Sequence, residues 1–414
     1  MARRVVVTGL GCVTPVGNDV AATWAALLAG TSGAAPITKF DASHHAVRFA
    51  CEVKGFDALR YMDRKEAKRS DPYTQYAVAA AVQAMDDAGF GAATGYDPLR
   101  TGVIVGSGIG GLLTFEEQHE VYRTGGAKRI SPFFIPMFIS DIAAGVISMR
   151  YQCKGPNFAT VSACATSAHA IGVAMRTIQY GDADVMLCGG SEAAVTPMSI
   201  GGFANMGALS TRNDDPARAS RPFDAGRDGF VMGEGAGIVV LEEYGHAVAR
   251  GARIYGELAG YGATGDAESL TGQPDAHEGL QRAMRLALAD ARLAPEAVDY
   301  VNAHGTSTPL NDPNESRAIR AVFGVHADRL AVSSTKSGTG HMLGAAGAVE
   351  FIACALAIRD QVIPPTINFE TAGEDCDLDY TPNVARPRTV RACVSNSSGF
   401  GGHNASVALV GLAG

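Results

Sequence analysis

The chain has 414 residues, 47% of them hydrophobic and 18% charged, a balance that affords a large core and excludes a disordered chain. Length alone allows two or three domains or one large duplicated unit. A formal net charge of −8 argues against a general nucleic-acid binder, though not against a local basic patch.

The chain opens on Met1-Ala-Arg-Arg-Val-Val-Val-Thr-Gly, whose apolar run stops at Thr8-Gly9. That is too short for a signal-peptide core. Strand and helix signals then alternate. Arg4–Thr8, Thr101–Val105, Val185–Cys188 and Gly237–Leu241 are short β-rich runs ending in or flanked by glycine, and Tyr76–Ala88 and Ser167–Tyr180 read as helices. After about residue 250 the rhythm restarts: strand Gly256–Tyr261, helix Gly279–Ala291, strand Val298–Ala303, helix Pro313–Val322, strand Leu330–Ser333 and a helix from about Gly344. Strands near Arg391–Val394 and Ser406–Val410 close the chain. The fold class predicted is α/β with strands buried on both faces. A duplicated fold with its site between halves 1–250 and 251–414 explains the repeated order. Leu343 to Ile358 is the most apolar stretch, but Glu350 interrupts it, so it reads as a buried helix and no membrane insertion is expected.

The cysteines are Cys12, Cys51, Cys153, Cys164, Cys188, Cys354, Cys376 and Cys393. None forms a C-x-x-C pair, which disfavours a zinc or dithiol site and fits a reducing cytoplasm. Three islands carry the chemistry. Val161-Ser-Ala-Cys-Ala-Thr-Ser167 centres on Cys164, Asn302-Ala-His-Gly-Thr-Ser-Thr308 holds His304, and Ser334-Thr-Lys-Ser-Gly-Thr-Gly-His341 holds Lys336 and His341. Each follows an apolar stretch and is rich in Gly, Ser and Thr, the pattern of strand ends that present polar groups. One cysteine with two histidines suits thiol chemistry at a carbonyl, with two donors for a charged oxygen. Small residues after Cys164 start a helix, and a thiol at a helix N-terminus gains thiolate character. Taken alone, Cys164 reads equally as a buried structural cysteine, and His304 as a capping histidine in a turn. Lys336 and Glu350, nine residues after His341, form a candidate buried ion pair. Gly106-Ser-Gly-Ile-Gly-Gly111 fits a dinucleotide fingerprint, but Glu116 to Pro132 is polar where an acid-tipped strand is required, so no nucleotide cofactor is assigned.

Together the islands, Gly399-Phe-Gly-Gly402, Val5-Val-Val-Thr-Gly-Leu-Gly11, Ile130-Ser-Pro-Phe-Phe-Ile-Pro136, Ala208-Leu-Ser-Thr-Arg-Asn213, Arg221-Pro-Phe-Asp224 and Pro364-Pro-Thr-Ile-Asn368 resemble the elongating β-ketoacyl-acyl-carrier-protein synthases, type II above all. The resemblance extends over nearly the whole chain. It implies a thiolase-like fold, duplicated in five α/β/α/β/α layers, and a homodimer with no cofactor and no metal. It implies decarboxylative Claisen condensation. Cys164 would carry the acyl thioester, and His304 and His341 would stabilise the enolate of malonyl carrier protein. Lys336 would tune the pair with Glu350 beneath it, and the N–H groups of Cys164 and Phe400 would form the oxyanion hole. Phe400 would be a gate shaped and supported by Gly399, Gly401, Gly402 and Asp266, with Ile109, Phe134 and Phe203 along the acyl pocket. Ser398 stands where many members carry Phe, and Gly207 where some carry an Arg.

The implied partner, acyl carrier protein in acyl- and malonyl-loaded forms, is acidic, so a basic landing site is expected. Arg64, Lys65, Lys68 and Arg69 would form adjacent rows on a helix, with Lys128 and Arg129 next in line. A thiolase would carry a second cysteine in a Cys-x-Gly context, which Cys393 lacks, and an inactive chain-length factor would lack the nucleophile. An active type II polyketide ketosynthase shares the same core and stays open as the alternative.

Overall fold

A computed structural model describes residues 3–91 and 94–412, so the first two residues of the opening run and the last two of the second half lie outside the described residues. The first half runs β1 (Val5–Val13), α1 (Pro72–Asp87), β2 (Thr101–Gly106), α2 (Ile142–Tyr151), β3 (Asn157–Phe158), α3 (Thr166–Tyr180), β4 (Val185–Glu192) and β5 (Gly235–Glu243). The second runs β6 (Gly256–Gly265), α4 (Glu278–Ala291), β7 (Tyr300–Asn302), α5 (Asn311–Phe323), β8 (Ala331–Ser333), α6 (Ala346–Asp360), β9 (Ala392–Gly399) and β10 (His403–Val410). The first sheet has the order β3-β2-β4-β5-β1 and the second β8-β7-β9-β10-β6, the same topology twice. In each, three neighbouring strands are parallel and the last two pairings antiparallel.

The two sheets join into one ten-stranded hydrogen-bonded array, but only through Val6 with Glu257 and Val7 with Gly256. Helices α3 and α6 fill the space between them. The Ala348 N–H donates to Ser167 Oγ at 2.9 Å, tying these two helices together. Gly172 of α3 lies against the Tyr261 ring of β6, and Gly237 of β5 against Ala348 of α6, so each helix touches the opposite half. On the outer faces, α1 presses on Gly9 and Gly11 of β1, and α4 on Gly260 and Gly262 of β6, with no room for a Cβ at any of the four. That makes the five expected layers.

The expected elements are present, with shifted ends. The strand read as Val298–Ala303 is only Tyr300–Asn302, and helix Pro313–Val322 begins at Asn311. Helix α6 is buried from Ala346 through Ile358, Glu350 included, as its all-round apolarity requires. The polar stretch after the glycine-rich loop is helix Leu112–Gly125, not a strand. No helix among the described residues is long and apolar enough to cross a membrane.

The central layer yields a stability test. Gly172→Val drives two methyl groups into the Tyr261 ring and should cost at least about 1–3 kcal/mol, read as a lowered Tm. Gly201→Ala, in helix Pro197–Asn205 with open space around the new methyl, should hold or raise Tm. Equal Tm for wild type and Gly172→Val would contradict the packing of α3 on β6.

Candidate active site

Cys164 sits in a tight turn, Ala163–Ala165, that runs straight into α3. Ala163 holds a left-handed backbone at φ 50°, and Leu343 does the same at φ 45° in the matching turn before α6. The fold thus builds one elbow twice and places a thiol in only one of them, because Gly344 stands in the second. Non-glycine residues at positive φ carry strain, which the surroundings must hold. Around Cys164 the holders are the Ser162 N–H bond to Thr166 Oγ1 at 2.9 Å and the close approach of Gly399 to the Cys164 and Ala165 amides. Among the described residues, the N–H groups of Cys164 and Phe400 donate to no other protein group, whereas Gly401 N–H donates to Leu270 O at 2.7 Å.

His304 follows β7 and His341 lies eight residues beyond β8. The second and third islands interlock: Ser334 Oγ donates to Gly305 O at 2.6 Å, an approach that needs a glycine, here at φ 34°. The two imidazoles meet edge to face, centroids 5.3 Å apart and 85° between planes. Lys336 Nζ lies 3.5 Å from His304 Nδ1 and forms an ion pair with Glu350. All four side chains are buried. An ammonium has only donors, so Nδ1 of His304 accepts and its proton sits on Nε2. Burial, then the Lys336 charge, holds both imidazoles well below the ordinary histidine range. They are neutral donors at physiological pH. Burial also raises the Glu350 carboxyl, and Lys336 opposes that shift.

Burial pushes the Cys164 thiol up to about 12, against the pull of Lys336. The resting thiol is therefore protonated, contrary to the sequence expectation of standing thiolate character. The dipole of α3 favours the thiolate only as the proton leaves. What sets Cys164 apart from the other cysteines is access: all eight are buried, but only Cys164 lines a cavity, one of about 480 Å³ that also takes in both histidines. That cavity also touches Ile109, Phe203, His304, His341, Gly399 and Phe400, as well as Asp266, Gly207 and Ser398. Phe203 stacks obliquely on Phe400 at 6.3 Å. Phe134 is not among the lining residues. It sits on a surface helix, Phe134–Phe138, against Phe115 and Phe138, because the apolar run Phe133-Phe134-Ile135 lies on the outside of this chain.

The basic residues are exposed as expected, but Arg64–Ala67 is a single helical turn capped by Asp63 and Glu66, so the cations do not form two rows. Arg69 stacks on Phe133 at 4.0 Å, which brings this turn to the segment that follows Lys128 and Arg129. Asp266 accepts from Asn404 Nδ2 at 2.6 Å, and Asn404 Oδ1 accepts from Ser398 Oγ at 2.9 Å, which gives Ser398 a partner in place of an aromatic ring.

Two carboxylates escaped the sequence reading. Glu192, at the end of β4, accepts from Ser107 Oγ at 2.7 Å and from the N–H groups of Gly108, Ile109 and Gly344 at 2.9–3.2 Å. The glycine-rich loop that imitates a dinucleotide fingerprint thus cradles an internal anion. Glu315 of α5 accepts from the His304 and Gly305 N–H groups at 2.8 and 2.7 Å, and burial lifts its carboxyl to about 7 against those bonds. Neither carried a motif. Glu315 faces the core on a helix whose first turns are almost wholly polar, so amphipathic patterning points away from it. Among the described residues no cluster of three His, Cys, Asp or Glu side chains is arranged to hold a metal ion.

A thiol and two neutral imidazoles facing one apolar cavity, between the halves of a repeated fold, define an acyl-transferring enzyme of thiolase type. Sequence comparison agrees. The family model described as Beta-ketoacyl synthase, N-terminal domain, matches residues 2–247, and the corresponding C-terminal domain matches residues 255–370. The 3-oxoacyl-[acyl-carrier-protein] synthase 2 of Coxiella burnetii is 53% identical over 98% of both chains, and that of Synechocystis 52% identical over 98% of both. A beta-ketoacyl synthase from Burkholderia phymatum superposes with a TM-score of 0.93 at 36% identity, covering 99% of this chain and 100% of that one. A type II PKS ketosynthase solved with its acyl-carrier protein and bound to the hexaketide gives a TM-score of 0.91 at 37% identity over 100% of both. The chain belongs to the β-ketoacyl synthase family and is a ketosynthase.

Iodoacetamide should label Cys164 at least about tenfold faster than the other seven cysteines, because access and not thiol acidity separates them. Peptide mapping after brief exposure checks this. Comparable labelling of Cys12 or Cys51 would contradict it.

Proposed function

We propose that this ketosynthase lengthens fatty acyl chains by decarboxylative condensation of an acyl-enzyme with malonyl-acyl carrier protein, giving β-ketoacyl carrier protein. Cys164 sulfur attacks the acyl thioester, the carrier's thiolate departs with the cysteine proton, and the acyl group rests on Cys164. Malonyl carrier protein then enters. His304 and His341 donate to its thioester oxygen, the carbon–carboxylate bond breaks, carbon dioxide leaves, and the electron pair remains as an enolate. The enolate carbon attacks the acyl carbonyl, whose oxygen takes hydrogen bonds from the N–H groups of Cys164 and Phe400; the carbon–sulfur bond then breaks, and Cys164 leaves as a thiolate that takes a proton from water to regain the resting thiol. The observation that carries this reading is the buried, neutral histidine pair beside the thiol in one cavity. Neutral donors stabilise developing negative charge without becoming acids themselves, each worth about 3 kcal/mol. The 51–53% identity to synthases named for 3-oxoacyl carrier protein, against 37% to the polyketide ketosynthase, supports the fatty-acid pathway.

Phe400, between glycines and stacked near Phe203, acts as the gate, with Ser398, Asn404 and Asp266 bracing it. Ile109 and Phe203 border the acyl chain. The halves 1–250 and 251–414 are the two domains, supported by the repeated strand order. The enzyme works as a homodimer: β3 is an exposed edge strand, and Phe158, Val161, Ile135 and Phe115 stand exposed as apolar surface for a second copy. Eight unpaired cysteines support a reducing, cytoplasmic setting.

The half-reactions separate the roles. Cys164→Ala should lose acylation and condensation yet keep malonyl decarboxylation, while His304→Ala and His341→Ala should lose about 10²–10³-fold in decarboxylation. Normal decarboxylation by the histidine variants would overturn their assigned role.

The basic turn is the carrier's landing site. Lys65→Glu with Lys68→Glu should weaken carrier binding at low salt and flatten its salt dependence, leaving reaction with small acyl thioesters unchanged. Unchanged affinity at low salt would move the docking site elsewhere.

A further inference from the structure

His169 lies on α3, one and a half turns beyond Cys164, and does not line the cavity that Cys164 shares with the histidine pair. Its Nδ1 is 2.6 Å from Ser162 Oγ. The same ring meets the backbone of Asn404 and lies 6.5 Å from the His403 ring, on the hairpin β9–β10 whose turn carries Phe400. Tyr261 of β6 closes a third side, edge to face at 6.3 Å. Burial, then the neighbouring His403, pushes the imidazole down to about 4, so it is neutral. A neutral ring has one donor and one acceptor. With its proton on Nε2, the ring's Nδ1 accepts the hydroxyl proton of Ser162.

Both partners sit at consequential places. Ser162 precedes Ala163, the residue held at φ 50°, and its own carbonyl takes the Ala165 N–H at 3.1 Å to close the Cys164 turn. Asn404 is the residue whose side chain joins Ser398 to Asp266 below the gate. His169 therefore bridges the turn that presents the thiol and the hairpin that carries the gate. The reaction derived above has no use for it.

We propose that His169 is a positioning residue for acyl transfer: through Ser162 it holds the strained turn that aims Cys164, and through Asn404 it fixes that turn relative to the Phe400 hairpin. This rests on Cys164 being the nucleophile, and it concerns only the first half-reaction. The histidine pair, Lys336 and Glu350 stand on other strands and helices, so malonyl decarboxylation is independent of it.

The test uses the full-length enzyme with His169→Leu, Ser162→Ala, their double variant, and His169→Asn, whose side-chain oxygen restores an acceptor near Nδ1. Acylation of Cys164 should fall about tenfold in His169→Leu and in Ser162→Ala, the worth of one buried hydrogen bond and its unpaired partner. The double variant should fall no further than the worse single one. His169→Asn should recover most of the rate, and decarboxylation should stay within about twofold throughout. Alkylation of Cys164 by iodoacetamide should follow acylation; because it needs no carrier, it separates failure of this inference from failure of the reaction assigned above. Equal loss in both half-reactions, no loss in either, or independent additive losses would each overturn the proposal. If His169→Leu does not fold, Ser162→Ala and His169→Asn decide alone: a normal acylation rate in Ser162→Ala overturns it.

Discussion

The site depends on one buried ion pair. Lys336 and Glu350 are sealed beneath His304 with almost no exposure, and such pairs are costly to bury and costly to break. Removing one partner strands the other charge, at about 3–5 kcal/mol. The arrangement has a chemical return. An ammonium at 3.5 Å forces Nδ1 of His304 to accept, which turns the N–H of Nε2 outward, and its charge with burial keeps both imidazoles from protonating. A pair of histidines that could charge would supply protons; this pair supplies hydrogen bonds to an oxygen that becomes negative. Glu315 completes the support by fixing the His304 and Gly305 backbone from the other side.

The duplicated fold explains why these parts meet. In both halves polar loops emerge from the ends of parallel strands, and α3 and α6 carry the same left-handed turn at their N-termini. The halves share this frame and differ in what fills the equivalent places at the site. One elbow holds Cys164, the other Gly344, whose N–H is taken by Glu192 from the opposite half. Glu192 thereby staples the loop after β2 to the elbow before α6, across the layer where the substrate cavity lies. Because burial raises its carboxyl against four hydrogen-bond donors, the staple works by hydrogen bonding rather than by exposed charge.

Much of this was legible in the sequence, for a physical reason. Residues that need a particular backbone, such as Gly305 and the glycines beside Phe400, come with small and hydroxyl-bearing neighbours, and those clusters stood out against apolar strands. The long buried helix was legible because thirteen successive positions, Ala346 through Ile358, are buried with one charge among them. Glu192 and Glu315 were not, because a carboxylate satisfied by backbone N–H groups needs no partner side chain that a motif could record. The protonated state of Cys164 was missed because burial, which local sequence does not report, outweighs the helix dipole there. Phe134, placed along the acyl pocket by resemblance, lies in this chain beside Phe115 and Phe138 and away from the Cys164 cavity. The short strand β3 carries too few residues for a period to show.

The central claim is that His304 is a neutral Nε2–H donor held in that state by Lys336. Nitrogen-15 NMR of histidine-labelled enzyme, with His304→Gln for assignment, reads tautomer and charge directly. The account predicts a neutral Nε2–H imidazole at pH 7 that does not titrate near the ordinary histidine value of about 6.5. An imidazolium at pH 7, or titration near the ordinary value, would contradict it.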